Sequence, residues 1–412
     1  MARKQPPQPR KKGTGFVWFL FGLLVGIGAY SIIVAARGTR CDKASEVSEG
    51  ARPPPGATMW PGELSKVKIR IAPAKEFMLP QYCPPNIQPW VLEGFDKAMV
   101  VDLLHRLLVP PELVQEILSV TECETNKGCV VKPTTAILLS LEPLTKKLLY
   151  RRLARMPGND EKRTPLRLRS PEVERLLGSD GLSLYGRELF NKLVVHQDEF
   201  HILWDSEALC QLLPDEDKVR FLQIVSPVDT YLVKLVMRPD TDIEPIYRYW
   251  AGGPRTKSLR SLLEGAKPKP GEKPIYLDIV HLFSPFLRGL AYTYPDPDDP
   301  PRNCHWTTFN FYEDQPSDRF LDPREAQAEH LARFERIRAE EARYGDMVAV
   351  LDDEGYVVHT AIYLVDDLVF TKNGKAIFAP WMVATFDELR VVYMDMPGSY
   401  IAFYRRKPVG AR

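Results

Sequence analysis

The sequence predicts an α+β protein in three parts: an N-terminal transmembrane helix, a mainly helical middle domain and a small C-terminal α+β domain with an antiparallel sheet. Three observations predict it. Residues 16–36 carry no charge over 21 positions, the middle repeats apolar residues at helical spacing, and the C-terminal third alternates in short runs separated by Asp/Gly turns. With 412 residues, 44% hydrophobic and 26% charged, the chain has globular composition and length for two domains. A net charge of +1 gives no general attraction to nucleic acid, so that class of partner is set aside.

Residues 1–15 form a short basic tail. Arg3, Lys4, Arg10, Lys11 and Lys12 stand there without an acid, which predicts a cytoplasmic N-terminus. The run 16–36 would span about 31 Å as a helix, the depth of a hydrocarbon core. It reads as a single-pass signal anchor in a bacterial inner membrane, with the bulk of the chain in the periplasm or outside the cell. The run is longer than the apolar region of a cleaved leader. Residues 37–62, with Pro53–Pro55, read as a linker. The absence of any Asn-x-Ser/Thr sequon favours a periplasm over a eukaryotic secretory lumen. In an oxidising compartment Cys123 and Cys129, with five residues between them, are a candidate disulfide, whereas Cys41, Cys83 and Cys210 show no local partner.

Residues 63–273 are expected to be a mainly helical domain. Lys66–Ile71 alternates as a strand, and Tyr231–Met237 is a second strand candidate. Leu92, Phe95, Met99 and Leu103 form one helical stripe, Leu113, Ile117 and Leu118 another, and Leu139–Leu153 a further helix. The histidines 105, 196, 201 and 281 are scattered. No HExxH, phosphate-binding or dinucleotide-binding motif occurs, so neither metal nor cofactor is expected.

Residues 274–412 carry the chemistry. Cys304 follows the turn-forming run Pro295–Pro301 and is expected to open a helix, where the N-terminal field favours a thiolate. Residues 323–343 read as a charged helix with Leu331, Phe334 and Ile337 on one face and His330 on its surface. Gly345-Asp346 then turns into a strand over Met347–Leu351. Asp352–Gly355 makes a hairpin into the alternating strand that carries His359, and Asp366-Asp367 turns into Leu368–Gly374. Final strands are expected over Glu388–Tyr393 and Ser399–Arg405. Val357, His359, Ala361 and Tyr363 share a strand face, which is expected to look toward the Cys304 helix.

The stretch from Tyr344 to Gly374, with Gly345-Asp346 and His359-Thr360-Ala361-Ile362-Tyr363, resembles the NlpC-like branch of papain-type cysteine peptidases. The lead-in Tyr292-Thr293-Tyr294 to Cys304 is similar to that family's approach to its nucleophile. The resemblance covers residues 286–405, and the family's usual Asp-Cys-Ser-Gly is replaced by Asn303-Cys304-His305-Trp306. It implies a small papain-like domain in which Cys304 is the nucleophile and His359 the acid/base, with Thr371 (by spacing) or Asn373 (by chemistry) orienting the imidazole. Lys372, Trp306 and Tyr294 would then contact substrate. The implied activity is hydrolysis of an amide in cell-wall peptide or another envelope substrate, without a cofactor. Two rivals stand beside it: a non-catalytic envelope scaffold with a degenerate papain-like domain, and transglutaminase-like or lipid acyl transfer at the same thiol.

Overall fold

Short, largely apolar strands at the C-terminal end build the largest sheet. The computed structural model describes residues 60–408 except 85, 126, 157, 164, 198–199, 253–257 and 395–397. The predicted tail, the run 16–36 and most of the linker lie outside these residues. Among the described residues no helix is long and apolar enough to cross a membrane, and this corrects the expectation of a transmembrane helix as part of the fold.

The strands, in chain order, are β1 (Glu63–Ile71), β2 (Trp90–Glu93), β3 (Thr121–Glu124), β4 (Gly128–Val131), β5 (Leu166–Arg169), β6 (Val195–Gln197), β7 (Phe200–Leu203), β8 (Val228–Met237), β9 (Ile275–Asp278), β10 (Phe334–Ile337), β11 (Met347–Leu351), β12 (Val357–Val365), β13 (Leu368–Lys372), β14 (Trp381–Thr385) and β15 (Tyr400–Arg406). They form three three-stranded sheets and one six-stranded sheet of order β10-β15-β11-β12-β13-β14, every neighbouring pair antiparallel. The middle region keeps more helix than strand, but it also carries short antiparallel sheets. Its short sheets, β2-β4-β3 and β5-β7-β6, are too brief to show a period of two against the helical stripes around them.

Hydrophobic burial joins the parts. A large core takes Trp90, Tyr150, Phe190, Leu209 and Phe221 from the helices and small sheets of the middle region. A second core runs from β8 and the helix Ile243–Trp250 to Trp306, Phe370 and Trp381 of the C-terminal part. Thr230 ties β8 to β14: its hydroxyl donates to the Val383 carbonyl (2.8 Å) and accepts from the Val383 N–H (3.1 Å).

Two expected C-terminal elements change type. The helix predicted over 323–343 ends at Arg333, and Phe334–Ile337 pairs with β15 as the sheet's edge. His330, expected on the surface, is buried with its ring 4.5 Å from that of Tyr404. Leu331, expected on the apolar face, is 68% exposed. The strand predicted over Glu388–Tyr393 is a helix, Phe386–Tyr393, because Thr385 and Glu388 form a reciprocal cap: the Thr385 hydroxyl accepts from the Glu388 N–H, and the Glu388 carboxylate accepts from the Thr385 N–H. That Thr-x-x-Glu signal was legible and outweighs the β-branched pair Val391-Val392.

Cys123 and Cys129 face each other on β3 and β4 and are bonded, as expected. A second bridge, Cys83–Cys210, joins positions 127 residues apart and had no local signature. In the chain-entropy account the long loop stabilises by about 5 kcal/mol and the short one by about 2 kcal/mol. Replacing Cys83 and Cys210 with Ala should therefore cost more stability than replacing Cys123 and Cys129, as read by urea denaturation. Equal or inverted costs would show that native-state packing at the bridges outweighs loop closure.

Candidate active site

Cys304 is the first residue of the helix Cys304–Asn310, whose cap is the Asn303 side chain accepting from the Trp306 N–H at 2.9 Å. The same helix is pinned to the sheet where the Trp381 indole N–H donates to Thr307 Oγ1 at 2.8 Å. It packs on β12 and β13. Tyr292, in the left-handed region at φ 61°, bonds its N–H to the Trp381 carbonyl and its hydroxyl to the Tyr231 carbonyl, so the Tyr lead-in ties the approach to Cys304 onto β14. Among the described residues Cys304 is the unpaired cysteine, buried at 6% exposure.

Gly345 and Asp346, the motif before β11, prove to be structural. Gly345 takes φ 91°, and its N–H bonds the Tyr363 carbonyl at 3.0 Å. Asp346 is buried and gripped by the Arg405 guanidinium at 3.0 and 2.7 Å, a two-pronged ion pair that fixes the start of β11 against β15.

The side chains of β12 and β13 divide between two faces. Thr360, Ile362 and Leu364 of β12, with Phe370 and Lys372 of β13, look toward the Cys304 helix: Ile362, Leu364 and Phe370 share a core with Trp306, and the Thr360 hydroxyl meets His305 Nδ1 at 3.2 Å. His359, Ala361, Tyr363, Val369 and Thr371 look the other way, toward the helix Phe386–Tyr393, and Ala361, Tyr363 and Val369 share a core with Phe386 and Leu389. His359 stacks on Tyr393 with ring centroids 4.0 Å apart and an interplanar angle of 15°. The expectation that the His359 face looks toward Cys304 is thus corrected. Alternation groups residues by face correctly, but the larger apolar set on the even positions goes to the Cys304 side.

Thr371 is the residue that orients the imidazole: His359 Nε2 lies 2.7 Å from its hydroxyl. That hydroxyl donates to the Thr360 carbonyl at 3.4 Å, so it accepts from Nε2–H and leaves Nδ1 as the lone-pair nitrogen. Nδ1 is buried and has no hydrogen-bond partner. Burial, followed by the charge of His305, holds His359 well below its ordinary value and therefore neutral. Asn373 accepts instead from the Tyr393 hydroxyl at 3.0 Å, and so braces the ring on which His359 stacks.

Burial pushes the Cys304 thiol up, against the N–H groups of Thr360 and His305, the Thr360 hydroxyl and the charge of Lys372, which all favour the thiolate. The strands part at this end. Paired positions of β12 and β13 begin at Ile362↔Phe370, and β12 shifts register against β11 between Val350 and Leu351. A register shift of this kind re-aims the side chains of one strand end.

Two of the three expected substrate contacts are elsewhere employed. Trp306 is core, its indole N–H on Asp318 at 2.9 Å and the Arg302 guanidinium 4.4 Å from its ring. Tyr294 donates to the carbonyls of Ile71 (3.2 Å) and Ser226 (3.0 Å), anchoring β1. Lys372 is at the site but fully buried, its ammonium on the carbonyls of Gly374 (2.9 Å) and Ala376 (3.0 Å). No family model, no curated protein and no solved structure matches the chain.

Burial draws the Lys372 amine down from 10.5 to about 7, partly countered by Cys304. Because this native value lies below the unfolded one, the native state binds fewer protons between pH 7 and 10.5, and the stability it contributes rises with pH across that window. Lys372→Met should therefore raise stability at pH 7 by roughly 2–5 kcal/mol, and the gain should shrink toward pH 10, as followed by urea melts. A gain independent of pH would mean that the amine titrates normally.

Proposed function

We propose that the chain is a thiol-dependent amide hydrolase of an oxidising, extracytoplasmic compartment. Cys304 is the nucleophile, and His359, held by Thr371 with Nδ1 free, is the group that protonates the leaving amine. The carrying observation is the choice of free thiol. Among the described residues two disulfides engage four cysteines, and the one left reduced starts a helix packed on the strands of His359, Thr371 and Lys372. The NlpC-like pattern of residues 286–405 supports the same reading, and points to envelope peptide as the substrate.

In the reaction the Cys304 thiol gives its proton to His359 Nδ1 and attacks the amide carbonyl. The C–N bond breaks as the amine takes up a proton, and water then cleaves the thioester to return the thiol and a carboxylic acid. Cys304 and His359 share no hydrogen bond in the described conformation, and both are buried, so turnover needs the two brought together. The same separation favours a second reading, a binding domain on the same fold.

A reactive ester such as p-nitrophenyl acetate, mixed with the full chain and quenched for mass spectrometry, separates the two. The hydrolase predicts acetyl on the Cys304 peptide, lost in Cys304→Ala and slowed about 100-fold or more in His359→Ala. It also predicts release of new amines from envelope peptide. A folded protein that forms no acyl adduct and releases no amine would establish the binding domain.

A further inference from the structure

We propose that His196 and His201, on the strand pair β6 and β7 of the middle region, form a two-imidazole chelate for one divalent transition-metal ion of the Zn2+, Ni2+ or Cu2+ type. The site is independent of Cys304 and of the hydrolase reading.

Register is the first argument. Four residues separate the two histidines in the sequence, but the antiparallel pairing of β6 with β7 sets them directly opposite each other. Side chains so placed leave the same face of the sheet, with their Cβ atoms about 5 Å apart. Here the ring centroids are 4.3 Å apart and the ring planes meet at 66°. At metal–nitrogen bonds of about 2.0–2.1 Å, two imidazoles bound side by side to one ion have centroids about 4.5–5 Å apart. The strands therefore already hold the rings at chelating distance, and a turn of one side chain brings the two lone pairs onto a common point. His196 is exposed and free to make that turn, while His201 is half-buried and fixed.

The surroundings fit an ion open to solvent on one side. In the order β5-β7-β6 the strand of His196 is an edge, and the residue opposite His201 on its other side is the buried Leu168 of β5. His201 Nδ1 is buried and has no hydrogen-bond partner, a cost that packing alone does not offset. Neutral imidazole binds Zn2+, Ni2+ and Cu2+, whereas Mg2+ and Ca2+ take oxygen ligands. Among the described residues no group of three or more His, Cys, Asp or Glu could hold an ion. The chelate thus supplies two ligands and leaves the other positions of the ion to water or to a donor from outside the chain. A bound ion would also clip the three-residue strand β6 onto β7.

The test is calorimetric titration of the full chain with Zn2+ and then Ni2+, beside His196→Gln, His201→Gln and the control His105→Gln, an exposed histidine of the helix Lys97–Arg106. One ion per chain is expected, with no signal from Mg2+. Either substitution in the pair should weaken binding about 100-fold, because the second imidazole acts as an intramolecular ligand. His105→Gln should leave it unchanged. Binding retained in both pair variants would place the ion elsewhere and overturn the proposal. Loss in only one variant, or no binding by the native chain, would overturn it too. A second measurement needs no variant: diethyl pyrocarbonate modification of the native chain, read at each histidine by mass spectrometry with and without Zn2+. The ion should protect His196 and His201 together and leave His105 reactive. Protection of one alone, or of neither, would refute the chelate.

Discussion

Strands β12 and β13 set successive side chains on opposite faces, and a different helix covers each face. The Cys304 helix lies over Thr360, Ile362, Phe370 and Lys372, while the helix Phe386–Tyr393 lies over His359, Ala361, Val369 and Thr371. That division sets what each group touches, while the charge of His305 on the Cys304 helix is still felt by His359. The thiol meets a hydroxyl and two N–H groups. The imidazole meets a hydroxyl and an aromatic ring, and keeps a nitrogen unpaired. A shift of one residue in register would exchange the two sets.

Low exposure shapes the energetics on both faces. A thiol, an imidazole and an amine are all driven toward their neutral forms by the loss of water around them. Neutral groups are cheap to bury, and a proton can pass between a neutral acid and a neutral base without any net charge entering the core. Isolated charges of this depth would cost several kcal/mol each. The turn 373–376 keeps Lys372 inside by giving its amine two carbonyls.

The middle region solves a similar problem differently. Asp205 sits at its centre, with Lys146 Nζ at 3.1 Å, Lys162 Nζ at 3.6 Å and the Tyr150 hydroxyl donating at 2.6 Å. That hub joins the helix Pro143–Leu153 to the segment after β7, and the Lys162 ammonium lies over the Tyr150 ring at 4.5 Å. With the Cys83–Cys210 bridge it holds a region whose sheets are too small to be stable alone.

By itself the sequence determined the local pattern. Residues 347–351 form a short apolar run and 357–364 alternate, Asp352–Gly355 and Asp366-Asp367 turn between the strands, and Cys304 begins a helix. Thr371 was marked, beside Asn373, only by the family resemblance, and its hydroxyl lies 2.7 Å from His359 Nε2. Cys123 and Cys129 were close enough in the chain to be a candidate pair, and they are bonded. Tertiary structure decided the rest. Alternation has a period but no sign, so only packing could say which face of β12 meets Cys304. Cys83 and Cys210 could be matched only once the fold brought them together. Lys372 reads as a charged residue near a turn, and its burial is a property of the helix, β14 and turn around it, none of which leaves a mark at position 372.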